Sequence, residues 1–153
     1  VTEMLVSALT MKKALDLIKP LLKGDRASSG RIVIGTVKGD MHDIGKNLVT
    51  MMLEGAGFEV TDLGVSINVQ TVIEKVQELK PDVLCLSALL TMTMPEMRRV
   101  IEELKARGLR DKVKVIVGGA PVDQRYADEI GADGYGKDAV EAVALARRLV
   151  ASA

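Results

Sequence analysis

Aromatic side chains, histidine and cysteine are nearly absent from this chain of 153 residues, which has no Trp, one Phe, two Tyr, one His and one Cys. With no aromatic platform for stacking bases, and with 21 basic residues balanced by 21 acidic ones, the sequence argues against a nucleic-acid or membrane-surface binder. The single cysteine, Cys85, excludes an internal disulfide and favours a reducing compartment, so we expect a cytoplasmic protein. No apolar run approaches the roughly 20 residues that a membrane span needs.

The sequence does contain a regular alternation of short apolar runs and amphipathic segments. The apolar runs predict five buried strands, at Ile32–Val37, Phe58–Leu63, Val83–Leu89, Val113–Val117 and Gly134–Tyr135. Segments with helical spacing predict a helix after each strand, over Asp43–Gly55, Val69–Leu79, Pro95–Ala106, Asp123–Ile130 and Ala139–Ala151. This alternation predicts an α/β domain with a doubly wound, five-stranded parallel sheet in the flavodoxin-like, Rossmann-type order 2-1-3-4-5.

The first thirty residues differ from the rest of the chain. Residues 1–23 carry apolar side chains at helical spacing and predict one helix, and the polar stretch 24–30 predicts a linker before a domain that spans residues 31–153. A lone amphipathic helix cannot bury its own apolar stripe. We therefore expect residues 1–23 either to pack on the main domain or to be the remnant of a helical bundle.

The stretch Val33–Val49 concentrates the polar chemistry of the sequence. It predicts a buried strand, a polar loop and the start of a helix, and the loop holds the single histidine, His42. Gly39 and Asp40 end the strand, and Asp43 is a candidate cap for the next helix. Open α/β sheets bind ligands at the carboxyl ends of their strands, so we expect this loop to face a ligand.

Small and polar residues also follow the other strands at the same predicted edge. They are Ser87, Thr91 and Thr93 after strand three, Gly118 and Gly119 at the end of strand four, and Tyr135 and Gly136 at the end of strand five. Each is an ordinary loop residue by itself. Together they favour a ligand crevice between strands one and three.

Nucleotide and phosphate chemistry match this edge poorly. Between Gly39 and Gly45 there are five residues where a phosphate loop has four, Asn47 stands where that loop needs Ser or Thr, and no G-x-G-x-x-G is present. The predicted fold also occurs in phosphoacceptor domains, and Asp62 or Asp82 as an acceptor is a minor alternative.

A metal centre with one protein ligand fits the residues better. Zinc needs three or four side-chain ligands, and the sequence offers one His and one Cys, the latter in a predicted buried strand. A macrocycle such as haem or a corrinoid fills the equatorial positions of its metal and needs only an axial ligand, for which His42 is the candidate. Asp40 can accept a hydrogen bond from the other ring nitrogen. The residues alone leave open that His42 is simply a loop histidine held by Asp40.

Three motifs together resemble the cobalamin-binding domains of corrinoid proteins. Residues 40–45 read D-M-H-D-I-G and match D-x-H-x-x-G, residues 87–89 read S-A-L and match S-x-L, and residues 118–119 match a pair of glycines. The sequence is similar to the corrinoid proteins of methyltransferase systems for methanol, methylamines or aryl ethers, and to the cobalamin domain of methionine synthase. Adenosylcobalamin mutases share D-x-H-x-x-G but typically carry an arginine where Ile44 stands.

The resemblance implies a cofactor that is bound base-off, with its dimethylbenzimidazole tail inserted into the sheet. It implies that His42 is the axial ligand of cobalt, that Asp40 is the hydrogen-bond partner of His42, and that Thr93 supplies a relay hydroxyl where the family commonly has Ser. The other cofactor-binding positions it implies are Gly39, Met41, Asp43, Ile44, Gly45, Ser87, Leu89, Thr91, Gly118, Gly119, Tyr135, Gly136 and Ala139. A side chain at either paired glycine would fill the tail channel, so we expect Gly119→Leu to block uptake without unfolding the domain.

The resemblance implies that residues 1–23 are the remnant of an N-terminal helical cap. It further implies a corrinoid-binding methyl carrier, which accepts a methyl group on cobalt from one methyltransferase and presents it to another. It implies no catalytic residues of the chain's own. The expected partners are a substrate-specific methyltransferase, a methyltransferase that passes the group to tetrahydrofolate or a thiol, and a reductive activator. Two alternatives stay open: the cobalamin-binding subunit of an adenosylcobalamin-dependent mutase, and a cobalamin sensor domain.

Overall fold

A computed structural model describes residues 2–22 and 28–153 of the chain. The strands in this part are β1 Arg31–Thr36, β2 Glu59–Asp62, β3 Val83–Ser87, β4 Lys114–Gly118 and β5 Gly134–Gly136. The helices are α1 Thr2–Leu22, α2 Ile44–Gly55, α3 Val69–Leu79, α4 Met94–Ala106, α5 Gln124–Ile130 and α6 Ala139–Ala151, with a 3-10 turn at Arg110–Lys112. Each predicted strand and helix is present, and the boundaries shift by at most two residues.

The strands form one parallel sheet in the order β2-β1-β3-β4-β5, which confirms the predicted fold class and strand order. The third strand ends at Ser87, two residues earlier than predicted. Its continuation leaves the sheet because the Leu89 N–H donates to the Asp40 side chain, 2.7 Å away, and not to a neighbouring strand. An apolar pattern cannot show where a backbone amide finds a better acceptor outside the sheet.

Two layers of helices cover the sheet. On one face, α3, α4 and α5 pack over the side chains of Val33, Leu84, Leu86 and Val115. The other face carries the alternate residues of the same strands, and a smaller apolar cluster fills the space beneath α2 and α6. Because a strand points successive side chains to opposite faces, the near-continuous apolar runs in the sequence are those of a sheet buried on both sides.

The N-terminal helix, α1, contacts α2. Of the linker predicted over residues 24–30, residues 24–27 lie outside the described residues. Among the described residues, no helix combines the length and the apolar character needed to cross a bilayer.

The loop after β4 passes so close to the loop after β3 that only glycine fits at residue 119. The Ala88 N–H donates to the Gly118 carbonyl at 3.1 Å. Gly119 has φ +128°, and a Cβ built on it would lie 1.8 Å from the backbone oxygen of Ala88. The idea that stability tolerates Gly119→Leu assumed open space at this loop, whereas a Cβ there would collide with backbone before the side chain reached a ligand channel, so we now expect the substitution to destabilise the domain.

This packing yields a prediction about stability. Gly119→Ala combines the strain of a positive φ with an overlap against backbone, whereas Gly64→Ala has the strain alone, because Gly64 has φ +89° and no atom within 4 Å of its Cβ position. We expect Gly119→Ala to lower the free energy of unfolding by about 1–3 kcal/mol more than Gly64→Ala does. Urea denaturation of both variants measures the difference, and equal losses would show that the two loops are not in contact.

Candidate functional site

An open cavity of about 630 Å³ lies at the carboxyl edge of the sheet, between the sheet and the helices α2 and α6. Ile34, Cys85 and Ile116 form its floor and lie side by side in register across β1, β3 and β4. The next same-face positions along β3 and β4 are Ser87 and Gly118, which lead to the mouth. The cavity therefore enters the apolar layer of the domain, and it is not a shallow surface groove.

Most of the predicted site residues surround this cavity. Those that line it are Met41, His42, Asp43, Ile44, Gly45, Ser87, Leu89, Gly118, Gly119, Tyr135, Gly136 and Ala139. Gly39, Asp40 and Thr93 do not line it: Gly39 is exposed, whereas Asp40 and Thr93 are buried, and Thr91 is exposed in the turn before α4. The structure thus brings residues from four loops to one place, as expected from parallel strands that all end at the same edge.

Beside the cavity, β4, β5 and α6 lie close to one another. A Cβ on Gly118 would lie 3.0 Å from the Gly136 carbonyl oxygen, and a Cβ on Gly136 would lie 3.2 Å from the Cβ of Ala142 in α6. Both glycines line the cavity. Small residues at these strand ends therefore let β4, β5 and α6 approach one another while leaving the space above them open.

The Asp40 carboxylate is fully buried and accepts five hydrogen bonds. One oxygen accepts from the His42 backbone N–H and lies 2.8 Å from the His42 Nδ1. The other oxygen accepts from the backbone amides of Leu89 and Leu90 and from the Thr93 hydroxyl, which is 2.7 Å away. These donors join the loop after β1 to the loop after β3.

The surroundings of Asp40 keep this carboxyl group ionised. Burial by itself would raise its pKa, but the hydrogen bonds from the Leu89 amide, the Thr93 hydroxyl and His42 outweigh burial and hold the pKa well below its usual range. No cation is needed for this, because neutral donors aimed at both oxygens replace the lost hydration.

An ionised Asp40 fixes the tautomer of His42. A carboxylate can only accept hydrogen bonds, so the Nδ1 facing it carries the hydrogen, and the Nε2 of the neutral ring keeps its lone pair. Within the described part of the chain, Nε2 has no hydrogen-bond partner. The His42 side chain is 51% exposed while Asp40 is 0% exposed, so the ring is anchored at one nitrogen and accessible at the other.

The backbone around His42 is held by residues that the sequence pattern did not reveal. The hydroxyl of Thr36, a fully buried residue at the end of β1, donates to the His42 carbonyl at 2.9 Å. Asp43 occupies the position before the first turn of α2, but its side chain makes no capping hydrogen bond, so the capping role expected for it is wrong. Its φ of −126° and ψ of −16° lie outside the extended conformation of a typical capping residue.

Other lining residues were also missed by the sequence interpretation. The apolar pattern predicts Ile34, Cys85 and Ile116 as parts of buried strands, although each lies two positions before a predicted edge residue or a strand end, and a period of two places them on the same face. Lys46 lines the cavity from α2 with its ammonium paired to Asp62 at 2.5 Å. An amphipathic helix pattern gives no reason to expect a buried lysine on this face.

The donor set of the site is limited to one good ligand. Burial raises the pKa of the Cys85 thiol to about 12, so this residue stays protonated and is a poor metal ligand. Among residues 2–22 and 28–153, no three or more His, Cys, Asp or Glu side chains come together as a metal-binding cluster. What the site offers is one oriented imidazole beside an apolar cavity.

The Asp40 network predicts a pH-dependent difference in stability. Because the pKa of Asp40 is lower in the folded chain, its stabilisation is present above the unfolded pKa of about 4 and is lost as the pH falls below it. We expect Asp40→Asn to lower the free energy of unfolding by about 2–3 kcal/mol at pH 6 and by less at pH 3. Urea denaturation at both pH values tests this, with Asp111→Asn, at an exposed position, as control. The same loss at pH 3 and pH 6 would contradict it.

Comparison with known proteins identifies the family. Residues 30–144 match the family model of the B12 binding domain. The chain is 50% identical over 149 residues to dimethylamine corrinoid protein 3 of Methanosarcina mazei, covering 96% of this chain and 89% of that protein.

Solved structures agree with this relationship. The monomethylamine corrinoid protein of Methanosarcina barkeri is 34% identical with a TM-score of 0.78, over 97% of this chain and 71% of that one. A chain of the methanol:cobalamin methyltransferase complex MtaBC from the same organism is 31% identical with a TM-score of 0.82, over 100% of this chain and 58% of that one. The chain therefore belongs to the B12-binding domain family and is a relative of the methylamine corrinoid proteins.

Proposed function

We propose that this chain binds a corrinoid with His42 as the protein ligand of cobalt and with the nucleotide tail of the cofactor in the cavity behind it. The observation that carries the proposal is the His42–Asp40 pair, in which Nδ1 is held and Nε2 has no partner in the described part of the chain. A group that needs one protein ligand fits this donor set. The base-off, histidine-ligated state follows, since a tail lying in the cavity is away from the metal.

The proposed roles of the lining residues follow from their positions. Ile34, Cys85 and Ile116 give the cavity an apolar floor that suits an aromatic base. Ser87, Leu89, Gly118 and Gly119 then line the path of the tail, and Tyr135, Gly136 and Ala139 line its far side. Met41, Asp43, Ile44 and Gly45 surround His42 at the mouth, where the corrin would lie. Thr93 acts through its hydrogen bond to Asp40, and Gly39 acts through the turn that precedes Asp40. Thr91 is proposed only as an exposed residue near the cofactor.

We also propose that the chain is a methyl carrier in a methylamine methyltransferase system. When bound, the corrinoid supplies a cobalt that receives and releases a methyl group. The chain's own residues orient the imidazole, keep Asp40 ionised and exclude water from the tail. The partners proposed are a methylamine-specific methyltransferase, a methyltransferase that uses tetrahydrofolate or a thiol as acceptor, and a reductive activator.

The ligation proposal predicts a specific magnetic-resonance signature. His42 is the only histidine, so growth on ¹⁵N-histidine labels one imidazole. Reconstituted with cob(II)alamin, the unlabelled protein is expected to show a three-line nitrogen splitting and the labelled protein a two-line splitting. His42→Ala in labelled medium is the control and loses the splitting from the protein. A three-line pattern that persists after labelling would mean that the cofactor's own base still binds cobalt.

The carrier proposal predicts that the chain alone does not turn over substrate. Protein reconstituted with cobalamin and reduced to cob(I)alamin by titanium(III) citrate is expected to release no methylamine from dimethylamine, and addition of a dimethylamine-specific methyltransferase is expected to start demethylation. Replacing wild type by His42→Ala in the complete mixture controls for free corrinoid. Demethylation by the isolated chain would contradict the carrier role, and rearrangement of a carbon skeleton with adenosylcobalamin would support the mutase alternative.

A further inference from the structure

The segment 63–68, between β2 and α3, contains a serine, Ser66, whose backbone is in a conformation that serine rarely adopts. Ser66 has φ +48°, in the left-handed region, where only Ser66 and Lys80 are found among the described residues other than glycine. This conformation is costly for a residue with a Cβ. Lys80 ends helix α3, where a left-handed residue is common. Ser66 lies in a loop and has no such explanation.

This segment, which we call the brace, runs along the last part of β1 and beyond it. Within the brace, the Leu63 N–H donates to the Ile34 carbonyl and the Ile67 N–H donates to the Thr36 carbonyl. Gly35 makes the approach possible, since a Cβ on it would lie 2.3 Å from the Ile67 side chain. The brace thereby carries backbone pairing past the end of β2, towards the loop that holds His42.

Ser66 makes the contact between the brace and that loop. Its hydroxyl oxygen accepts from the Gly39 N–H at 3.1 Å, and its own N–H donates to the Asp40 carbonyl at 2.9 Å. Two consecutive residues of the turn before His42 are therefore held by one residue. Gly39 itself has φ +83°, which glycine adopts without strain, so the shape of the turn suits the residue that Ser66 contacts.

The left-handed φ explains why these two bonds form together. It turns the N–H and the side chain of Ser66 towards the same short stretch of backbone. Glycine would adopt this φ at less cost but has no hydroxyl, and alanine would keep the cost and lose the acceptor. Serine at this position therefore has a strained backbone, but it provides a hydrogen-bond acceptor for the Gly39 N–H.

We propose that Ser66 is a positioning residue for the axial histidine. It fixes the backbone of Gly39 and Asp40, while the amides of the loop after β3 fix the Asp40 side chain. Asp40 in turn holds the His42 ring through Nδ1. The position and the direction of Nε2 therefore depend on the turn at Gly39 and Asp40, whose backbone is hydrogen-bonded to Ser66. This inference rests on the proposed ligation of cobalt by His42.

The test compares three variants at Ser66 with a strain control. Ser66→Ala removes the acceptor and keeps the strain, Ser66→Gly removes both, and Ser66→Asn tolerates a left-handed φ and offers a carboxamide oxygen. Lys80→Gly relieves the same kind of strain on the far side of α3 from the brace. The probe is cob(II)alamin, and the readouts are the fraction with histidine nitrogen splitting, the Kd, the urea midpoint and the hydrogen exchange of the Gly39 amide in the cofactor-free protein.

We expect Ser66→Ala and Ser66→Gly to weaken cob(II)alamin binding about two- to tenfold and to lower the histidine-ligated fraction, because each loses one neutral hydrogen bond. The Gly39 amide is expected to exchange faster in both. Ser66→Asn is expected to recover part of the binding and of the protection. Lys80→Gly is expected to change the urea midpoint without changing ligation.

Several results would overturn the inference. Ligation equal to wild type in both Ser66→Ala and Ser66→Gly would show that the hydroxyl does not position His42. Ligation equal to wild type in Ser66→Gly, with a loss in Ser66→Ala, would show that the left-handed backbone at residue 66, and not the hydroxyl, positions His42. If wild type itself lacks the histidine signal, the proposed ligation fails together with the inference, whereas a normal wild-type signal with unaffected variants removes the inference alone.

Discussion

The buried carboxylate of Asp40 is the constraint on which the functional edge of this domain depends. An ion with no exposed surface is tolerated only if donors surround it, and here the donors are three backbone amides, one hydroxyl and one imidazole. Two of the amides belong to the loop after β3, which therefore leaves the sheet at Ser87. The loop after β3 then lies so close to the loop after β4 that only glycine fits at residue 119, because a Cβ there would overlap the backbone of Ala88. One charge thus dictates the course of three loops.

The cavity replaces part of a hydrophobic core. The face under α3, α4 and α5 is packed along the whole length of the strands, while the face under α2 and α6 is packed only at the lower end and opens above Ile34, Cys85 and Ile116. A domain with an unfilled apolar layer loses contacts that a fully packed one would make. A ligand with a flat apolar group would restore those contacts, so binding and stability are coupled through the same space.

The sequence predicted those parts of the structure that have a local pattern. Strand and helix periods, the strand order and the gathering of loops at one edge all followed from spacing along the chain. What it could not show were contacts made by groups without a side-chain signature. The amide of Leu89 meets Asp40 from 49 residues away, and every residue has such an amide. The depth of the cavity depends on strand register, and the burial of Lys46, in α2, depends on Asp62, in β2, so neither is visible in one segment.

The proposed ligation asks the loop after β1 to fix the His42 ring and to leave Nε2 accessible. The hydrogen bonds to this loop are compatible with both, because they act on other atoms than Nε2. The supports act on the backbone through Thr36 and Ser66, and on Nδ1 through Asp40. None of them touches Nε2, and the ring is half exposed. Bond formation or release at Nε2 therefore needs no change in the hydrogen bonds that position the ring. A frame that stays in place in both states would lower the entropy lost when the proposed bond between His42 and cobalt forms again.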